Sequence, residues 1–391
     1  MKILQVANSF KYAWGSGGVA RVAYDISSAL ARRGHEVTVF TTDKGLDERY
    51  NFKRNQSVNL DGMNVFYFKN LSDGLAKKGI SIPYYSLFVA TRKLIEFDVI
   101  HIHELRRIMN VFLYHYARKY NVPYVLQAHG SLPPSRSLLK RSLSWIFDIL
   151  FGYRLLRDAS KVIALSRMEA EQYRGMGVPE EKIEVIPNGI DLSDFADLPP
   201  KGCFKKKFNI LESKKIILYL GRIHKIKGID ILVKAFAKVI EKLDYVRLVI
   251  VGPDDGYLGE LEALIKAFKI EDKVLITGSL YGRDKLGAYV DADVYVLPSK
   301  YEIWGMTVLE AVACETPVIL TENCGIAEYF RDKVGLVVKP EPNHLCEALL
   351  EMLLDQDRQN KFRKKCRTVI ERFDISKTVS KLEQVYEGIV K

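Results

Sequence analysis

Short apolar runs alternate with segments of helical period along the whole chain. The runs are rich in Val, Ile and Leu, which is typical of buried strands, and the segments between them repeat apolar residues with helical spacing. The first such segment carries Val19, Val22, Ile26 and Leu30 on one face and ends near Gly34, a suitable helix terminator. Strands that alternate with helices form parallel sheets covered by helices, so the pattern predicts the α/β class. The predicted strands of the first half are 3–7, 36–41, 64–68, 99–101, 124–127, 162–165 and 184–186.

The alternation is interrupted once and then begins again. The run Asn188-Gly189-Ile190-Asp191, followed by two prolines and a lysine cluster, predicts a linker between two domains. A chain of 391 residues is also too long for one ordinary core and fits two domains of roughly 150 to 200 residues each. The predicted strands of the second half are 216–220, 246–251, 274–277, 294–297, 318–320 and 336–338.

Basic residues outnumber acidic ones, with 59 Lys and Arg against 48 Asp and Glu. A positive surplus attracts phosphates, and it also serves plain solubility. The basic runs at 205–207 and 361–365 lack interleaved aromatic residues, which single-stranded nucleic acids need for stacking. Nucleic acid is therefore not an expected partner.

The sequence shows no clear pattern for export, for a membrane span, for disulfides or for a zinc site. Residues 1–8 pass into a predicted strand without a signal-peptide pattern, and Asp148 and Arg154 interrupt the best candidate for a membrane-spanning run. The five cysteines are odd in number and show no C-x-x-C spacing, which argues against a disulfide framework or a zinc site. We expect a cytoplasmic protein.

The loop at 299–310 carries the strongest candidate chemistry, because it follows a predicted strand and runs into a helix. Ligands bind at the carboxyl ends of parallel strands. Glu310, about one turn inside the helix, suits ribose hydroxyls, and Glu302 in the loop suits a sugar. The backbone N–H groups of Gly305, Met306 and Thr307 would point at a phosphate from the positive end of the helix. The alternative is two solvated glutamates beside an ordinary helix start.

The loop at 221–228 has the same strand-loop-helix setting and is basic. Arg222 and Lys227 suit a pyrophosphate that leaves with negative charge. An exposed basic turn is the alternative interpretation.

Two loops of the first half complete the candidate set. Gly17 and Gly18, in a glycine-rich loop after the first strand, allow a backbone to approach a phosphate or a sugar. Their spacing is not that of a dinucleotide fingerprint, but Asp43 after the second strand keeps a nicotinamide dehydrogenase open as an alternative. His129, after the strand at 124–127, suits a hydrogen bond to a sugar or an acceptor hydroxyl, and His101 and His103 are expected to be structural.

Asp291 and Asp293 form the triplet D-x-D, which some glycosyltransferases use to hold a divalent metal. Here Asp293 precedes a predicted buried strand, so we expect a structural role. Neither a metal nor any other cofactor is expected.

With these residues in place, the chain resembles the family-4 glycosyltransferases with the two-domain GT-B fold. The resemblance covers nearly the whole chain and rests on five segments. They are residues 302–317 (EIWGMTVLEAVACETP), 221–228 (GRIHKIKG), 186–191 (IPNGID), 292–299 (ADVYVLPS) and the glycine loop.

The resemblance implies two Rossmann-like domains, 1–190 and 191–372, facing a central cleft, and a final helix within 373–391 that crosses back to the first domain. It also implies transfer of a hexose from a nucleotide-diphosphate sugar, with retention of anomeric configuration. The implied roles are Arg222 and Lys227 on the diphosphate, Glu310 on the ribose, Leu280 near the base, Glu302 near the sugar, and His129, Gly17 and Gly18 completing the site from the first domain.

Two positions depart from the family pattern. The usual Gly-Phe after the first glutamate is Ile303-Trp304, and the usual glycine before Thr316 is Glu315. The resemblance therefore leaves the contacts to the sugar, and the identity of the donor, open.

The acceptor is expected to be a saccharide or lipid-linked, as in glycolipid or polysaccharide synthesis. Residues 138–156 combine apolar and basic side chains and suit a helix that rests on the inner face of the membrane, although a partly buried helix fits equally well. A nucleotide-sugar epimerase of similar fold and a non-catalytic nucleotide-sugar binding module remain alternatives.

Overall fold

Strands and helices alternate through the computed structural model, which describes residues 1–46, 50, 52–77, 79–133 and 138–390. Contacts group the chain into two units, which we call unit 1 (Met1–Gly189 with Ile375–Lys391) and unit 2 (Ile190–Asp374). Ile190 N–H donates to Phe373 O at 2.8 Å, which connects the two ends of unit 2.

Unit 1 contains an eight-stranded sheet in the order β3-β4-β2-β1-β5-β6-β7-β8. Every pair is parallel except β3 with β4, which form a hairpin. The strands are β1 (Lys2–Val6), β2 (Glu36–Thr42), β3 (Ser57–Leu60), β4 (Met63–Phe68), β5 (Val99–His103), β6 (Tyr124–Gln127), β7 (Lys161–Ala164) and β8 (Ile183–Val185).

Helices cover this sheet, and the segment predicted as one helix over 138–156 is interrupted. A π-helical turn, Asp148–Gly152, separates α5 from α6. A Cβ atom on Gly152 would lie 2.6 Å from Asp148 Oδ1, so glycine lets that carboxylate fold back and pair with Arg106 at 2.6 Å. The side chains of 138–140 and the residues 134–137 lie outside the described part. The helices are α1 (Gly18–Arg32), α2 (Asp73–Lys77), α3 (Tyr85–Lys93), α4 (Ile108–Lys119), α5 (Leu138–Phe147), α6 (Tyr153–Asp158) and α7 (Arg167–Gly175).

Unit 2 contains a six-stranded parallel sheet in the order β11-β10-β9-β12-β13-β14. This is the doubly wound order, with its topological switch point between β9 and β12. Its inner strands are almost wholly buried because Val, Ile and Leu face helices on both sides, whereas the edge strand β11 is only partly buried. The strands are β9 (Lys215–Leu220), β10 (Val246–Val251), β11 (Val274–Gly278), β12 (Val294–Leu297), β13 (Val318–Thr321) and β14 (Gly335–Val338).

The helices of unit 2 are α8 (Cys203–Lys207), α9 (Ile229–Ile240), α10 (Leu258–Ala267), α11 (Gly282–Asp291), α12 (Met306–Ala313), α13 (Ala327–Phe330), α14 (Pro342–Leu354) and α15 (Gln356–Ile370). The last helix, α16 (Ile375–Ile389), belongs to unit 1 and packs against α1. No helix in the described ranges is both long enough and apolar enough to cross a bilayer.

Candidate active site

The loops that follow β9 and β12 meet at the switch point of the unit 2 sheet. Lys300 N–H donates to Ile226 O at 2.9 Å, which ties the two loops together. A Cβ atom on Gly228 would lie 2.0 Å from Pro298 O, so only glycine permits this approach. Both candidate loops of unit 2 are therefore neighbours in space.

Lys227 and Glu302 form an ion pair between these loops. Each side chain keeps 16% of its surface exposed. The Glu302 backbone is held from two sides, since its N–H donates to Asn323 O at 3.1 Å and its carbonyl accepts from Gly325 N–H at 2.8 Å. The structure thus places a fixed carboxylate against a cation at the carboxyl edge of the sheet.

The start of α12 lies in the same loop. Gly305 is the N-cap and supplies no side-chain cap, so the first amides of the helix, at Met306 and Thr307, have no acceptor within the helix itself. A Cβ atom on Gly305 would lie 2.7 Å from a Leu297 methyl carbon, which fixes glycine at the cap. Trp304, one residue earlier, is buried among aromatic rings of unit 2 and anchors the loop.

Arg222 lies after β9 and pairs with Asp255, after β10, at 2.5 Å. Its side chain is 52% exposed, so this partner is easily exchanged for another anion. Glu310 accepts from Lys285 Nζ at 2.9 Å and from Tyr289 Oη at 2.8 Å. The carboxylate that the sequence assigns to a ribose therefore already has two partners within the protein.

Leu280 lies just beyond β11 and is partly exposed. Gly252, after β10, donates its N–H to Gly278 O at 2.9 Å, so the loops after β10 and β11 are joined as well. The five loops of the described carboxyl edge thus form one connected rim from β11 to β13.

The candidate residues of unit 1 follow β1 and β6. Gly17 has φ +108 and caps α1, and Gly18 is the first residue of that helix. His129 has φ +52, a left-handed conformation that is uncommon for any residue other than glycine. That turn brings His129 Nε2 to 2.8 Å from His103 Nδ1.

A buried polar cluster beside His129 had only a weak sequence signal. His101 and His103 alternate on β5 and therefore lie on one face of the sheet, where their rings stack with centroids 4.3 Å apart. Burial lowers the pKa of His101 and of His129 to about 3, and burial together with the two neighbouring histidines lowers the pKa of His103 well below its usual value. All three are therefore neutral imidazoles at physiological pH.

Three aspartates that the sequence left as candidates for a metal or a dinucleotide make structural hydrogen bonds instead. Asp291 accepts from the N–H groups of Gly202 and Lys205, and Asp293 accepts from Ile216 N–H at 2.8 Å. Asp43 accepts from the Asn70 backbone and side chain. Among the described residues, no three His, Cys, Asp or Glu side chains gather as a metal site would need.

The five cysteines, at 203, 314, 324, 346 and 366, are free thiols. The Cys324 thiol lies beside the Glu302 loop. Its pKa is raised to about 12, and burial is the largest cause. A protonated thiol is a poor nucleophile.

Two family models match successive parts of the chain. The model described as "Glycosyltransferase Family 4" matches residues 16–194, and the model described as "Glycosyl transferases group 1" matches residues 201–369. Together they span both units, and each covers candidate residues from the loops described above.

Curated relatives and solved structures agree with these matches. A glycosyltransferase of Methanocaldococcus jannaschii is 29% identical over 357 residues, which is 87% of this chain and 86% of that protein. Alpha-monoglucosyldiacylglycerol synthase of Streptococcus pneumoniae is 27% identical over 86% of this chain and 75% of its own length. The crystal structure of HepE from Anabaena with UDP and glucose covers 99% of this chain and 100% of its own with a TM-score of 0.77 at 20% identity.

The match to HepE concerns the fold, and the two family models concern the sequence. Family membership decides against the dehydrogenase, the epimerase and the non-catalytic module that the residues alone left open. The chain belongs to the group 1 glycosyltransferases of family 4 and has their two-domain GT-B fold.

Proposed function

We propose that this glycosyltransferase moves a hexose from a nucleotide-diphosphate sugar to a saccharide or lipid-linked acceptor with retention of anomeric configuration. The observation that carries the proposal is the meeting of Lys227, Glu302 and the uncapped start of α12 at the switch point of unit 2. Helix amides without a side-chain cap, together with a cation at such a point, suit a diphosphate.

The assignment of roles follows from this arrangement. Lys227, Arg222 and the amides at Gly305, Met306 and Thr307 bind the diphosphate and stabilise its charge as it leaves. Glu310 accepts from the ribose hydroxyls, and Leu280 lies beside the base. Glu302 orients the sugar, and His129, Gly17 and Gly18 of unit 1 contact the sugar or the acceptor hydroxyl.

Uridine is our choice of base, and glucose our first choice of sugar. Support comes from HepE, which shares the fold and was crystallised with UDP and glucose. Thermal shift with a panel of nucleotide-diphosphate sugars tests this choice, because a ligand that binds only the folded state raises the unfolding midpoint. UDP-glucose should give the largest shift, and an equal shift from every nucleotide would contradict the choice.

Retention is tested on the product. Transfer from an α-linked donor should give an α-linked product, which proton NMR of the anomeric position reads directly. A β-linked product would contradict retention without affecting donor binding.

A lipid-linked acceptor is favoured by an exposed apolar surface on unit 1. A cavity of about 490 Å³ opens beside it and is lined in part by Arg106 and Arg141. Exposed arginines at 141 and 154 flank the surface, and a basic rim around aromatic and aliphatic side chains suits an anionic bilayer. We define the apolar surface as Leu143, Trp145, Ile146, Ile149, Leu150 and Tyr153, each at least 46% exposed.

Cosedimentation with vesicles tests this surface. The parent should bind vesicles that contain anionic lipid, and the double variant Trp145→Ser, Ile149→Ser should lose most of that binding. The matched control is Leu211→Ser, Leu354→Ser, which removes two exposed apolar side chains from unit 2. Equal binding by all three proteins would contradict a membrane role for the apolar surface.

We also propose that transfer needs no bound metal. Asp291 and Asp293, the D-x-D triplet that precedes β12, are held by backbone amides, as described above. Activity should survive removal of divalent ions by EDTA. Loss of activity that returns with added Mg²⁺ would contradict this.

A further inference from the structure

Four buried polar side chains occupy the centre of the unit 1 sheet. Gln5 of β1 lies opposite His101 of β5, and His103 of β5 lies opposite Gln127 of β6. Register partners and residues two apart share one face of a sheet, so all four project to the same side. Each is at most 1% exposed. Such positions are normally apolar, so a hydrogen-bonded chain of polar groups here needs a reason.

The first hydrogen bond of this polar cluster comes from Tyr386 of α16. Tyr386 Oη lies 2.6 Å from His101 Nδ1. Burial raises the pKa of the Tyr386 phenol. The phenol therefore keeps its proton and donates it in a hydrogen bond to His101 Nδ1.

The orientation of Gln5 fixes the proton on the next histidine. Its Oε1 atom lies 2.8 Å from His103 Nε2. A carboxamide oxygen only accepts, so His103 Nε2 carries the proton and donates. Because His103 is neutral, its Nδ1 carries only a lone pair.

The lone pair on His103 Nδ1 then determines which ring nitrogen of His129 carries the proton. The 2.8 Å contact between His103 Nδ1 and His129 Nε2 is a hydrogen bond only if His129 Nε2 is protonated. His129 is neutral as well, so its Nδ1 is left as an acceptor. The backbone holds this arrangement, since Gly130 N–H donates to the buried Glu169 carboxylate at 2.6 Å.

We propose that His103 is a positioning residue that holds His129 as its Nε2–H tautomer and so presents Nδ1 as an acceptor to a substrate hydroxyl. The inference rests on the proposed role of His129 and adds the direction of its hydrogen bond. The ligand group that fits is a sugar hydroxyl acting as a donor. In functional histidines generally, the hydrogen bond made by one ring nitrogen determines whether the other ring nitrogen is protonated.

Nitrogen-15 NMR of histidine-labelled protein tests the tautomer directly, because protonated and unprotonated ring nitrogens resonate far apart. The His129→Asn variant assigns the signals by their disappearance. In the parent, His129 should show a protonated Nε2 and an unprotonated Nδ1. A protonated Nδ1 on His129 would overturn the proposal.

Substitution of His103 provides the second measurement. His103→Leu removes the acceptor, so the tautomers of His129 should mix and kcat should fall by roughly 10- to 100-fold with little change in KM for the donor. His103→Asn places an oxygen near the position of Nδ1 and should restore both the signal and most of the activity. His101→Leu is the matched control, since it removes a buried histidine of the same face that does not contact His129.

The outcomes separate the two proposals. An unchanged tautomer and unchanged kcat in His103→Leu would overturn the positioning role. Full transfer activity in His129→Ala would instead overturn the proposed role of His129 in transfer, and the NMR result would still decide whether His103 sets its tautomer. If both His103 variants lose circular dichroism together with activity, while His101→Leu retains it, His103 is structural and the positioning role fails.

Discussion

Lys227 and Glu302 neutralise each other's charge when no sugar donor is bound. Binding of a diphosphate offers Lys227 a second anion, so the lysine must share or exchange its partner. Glu302 is then available to a sugar hydroxyl. One ion pair thus connects the two halves of the proposed donor site, and its energy in the resting protein works against donor binding.

Glu302→Gln tests this coupling. The amide keeps the shape but releases Lys227 from its counter-ion, so UDP should bind at least as tightly as to the parent. Transfer should nevertheless fall by roughly 100-fold or more, because the carboxylate that orients the sugar is gone. Calorimetry of UDP binding and steady-state kinetics check the two parts. Glu322→Gln, an exposed glutamate after β13, serves as the control, and weaker UDP binding in Glu302→Gln would contradict the coupling.

The buried histidines predict an acid-sensitive fold. The pKa of His101 and that of His129 are about 3 in the folded protein and about 6.5 when unfolded, so the unfolded chain takes up more protons between these values. The free energy of unfolding should therefore fall as the pH drops from 6.5 toward 3. Burial raises the pKa of Glu169 to about 7, which acts in the opposite sense. Urea unfolding at pH 7 and pH 5 should show a smaller loss in His101→Asn than in the parent, and equal losses would contradict the assignment.

At the scale of elements, the two family departures belong to the ends of one loop-helix segment. Ile303 and Trp304 are buried and anchor the loop before α12. Glu315 ends α12 with φ +58, where Thr316 N–H donates to Ala311 O at 2.9 Å and Glu315 N–H to Val312 O at 3.0 Å. This is a Schellman ending, which glycine favours because it lacks a Cβ atom. The Glu315 departure therefore concerns helix termination rather than the sugar contacts.

Glu315→Gly should stabilise unit 2. The left-handed conformation costs a residue with a Cβ atom about 1 kcal/mol or more, and glycine removes this cost. The unfolding midpoint should rise by roughly 2 °C, as measured by differential scanning fluorimetry. Glu315→Ala keeps the Cβ atom and should give no increase. A lower midpoint for Glu315→Gly than for Glu315→Ala would contradict the assignment.

The elements that the sequence predicted well are those buried on both faces. The long apolar strands of unit 2, such as β10, have the predicted bounds because a continuous Val and Ile run is typical of a parallel sheet. β3 was not predicted, because only alternate residues of this edge strand are partly buried. Its one signal was Asp61-Gly62, a two-residue turn in which both residues have positive φ. The π-helical turn after α5 depends on a contact between Asp148 and Gly152 that periodicity does not encode.

At the scale of the whole molecule, the sequence predicted the two α/β units and the loops that carry candidate chemistry, because strand ends mark the ligand edge of each sheet. The sequence did not predict contacts between residues that lie far apart along the chain. The Lys227 to Glu302 pair joins residues 75 positions apart, and the link from Tyr386 to His101 spans 285 positions. Each depends on sheet order, which spacing along the chain does not reveal. The net charge of +11 falls on unit 1, which has 30 Lys and Arg against 19 Asp and Glu, whereas unit 2 has 29 of each, so overall charge does not identify the proposed donor site.

The central claim is that a diphosphate is bound by two cations and by the first amides of α12. Calorimetric titration of UDP into the Arg222→Met, Lys227→Met double variant tests it most directly. Loss of two charge-assisted contacts should weaken binding by roughly 100-fold or more. Lys225→Met, in the same loop but 66% exposed and paired with Glu260, should bind as the parent does. UDP affinity equal to that of the parent in the double variant would contradict the account.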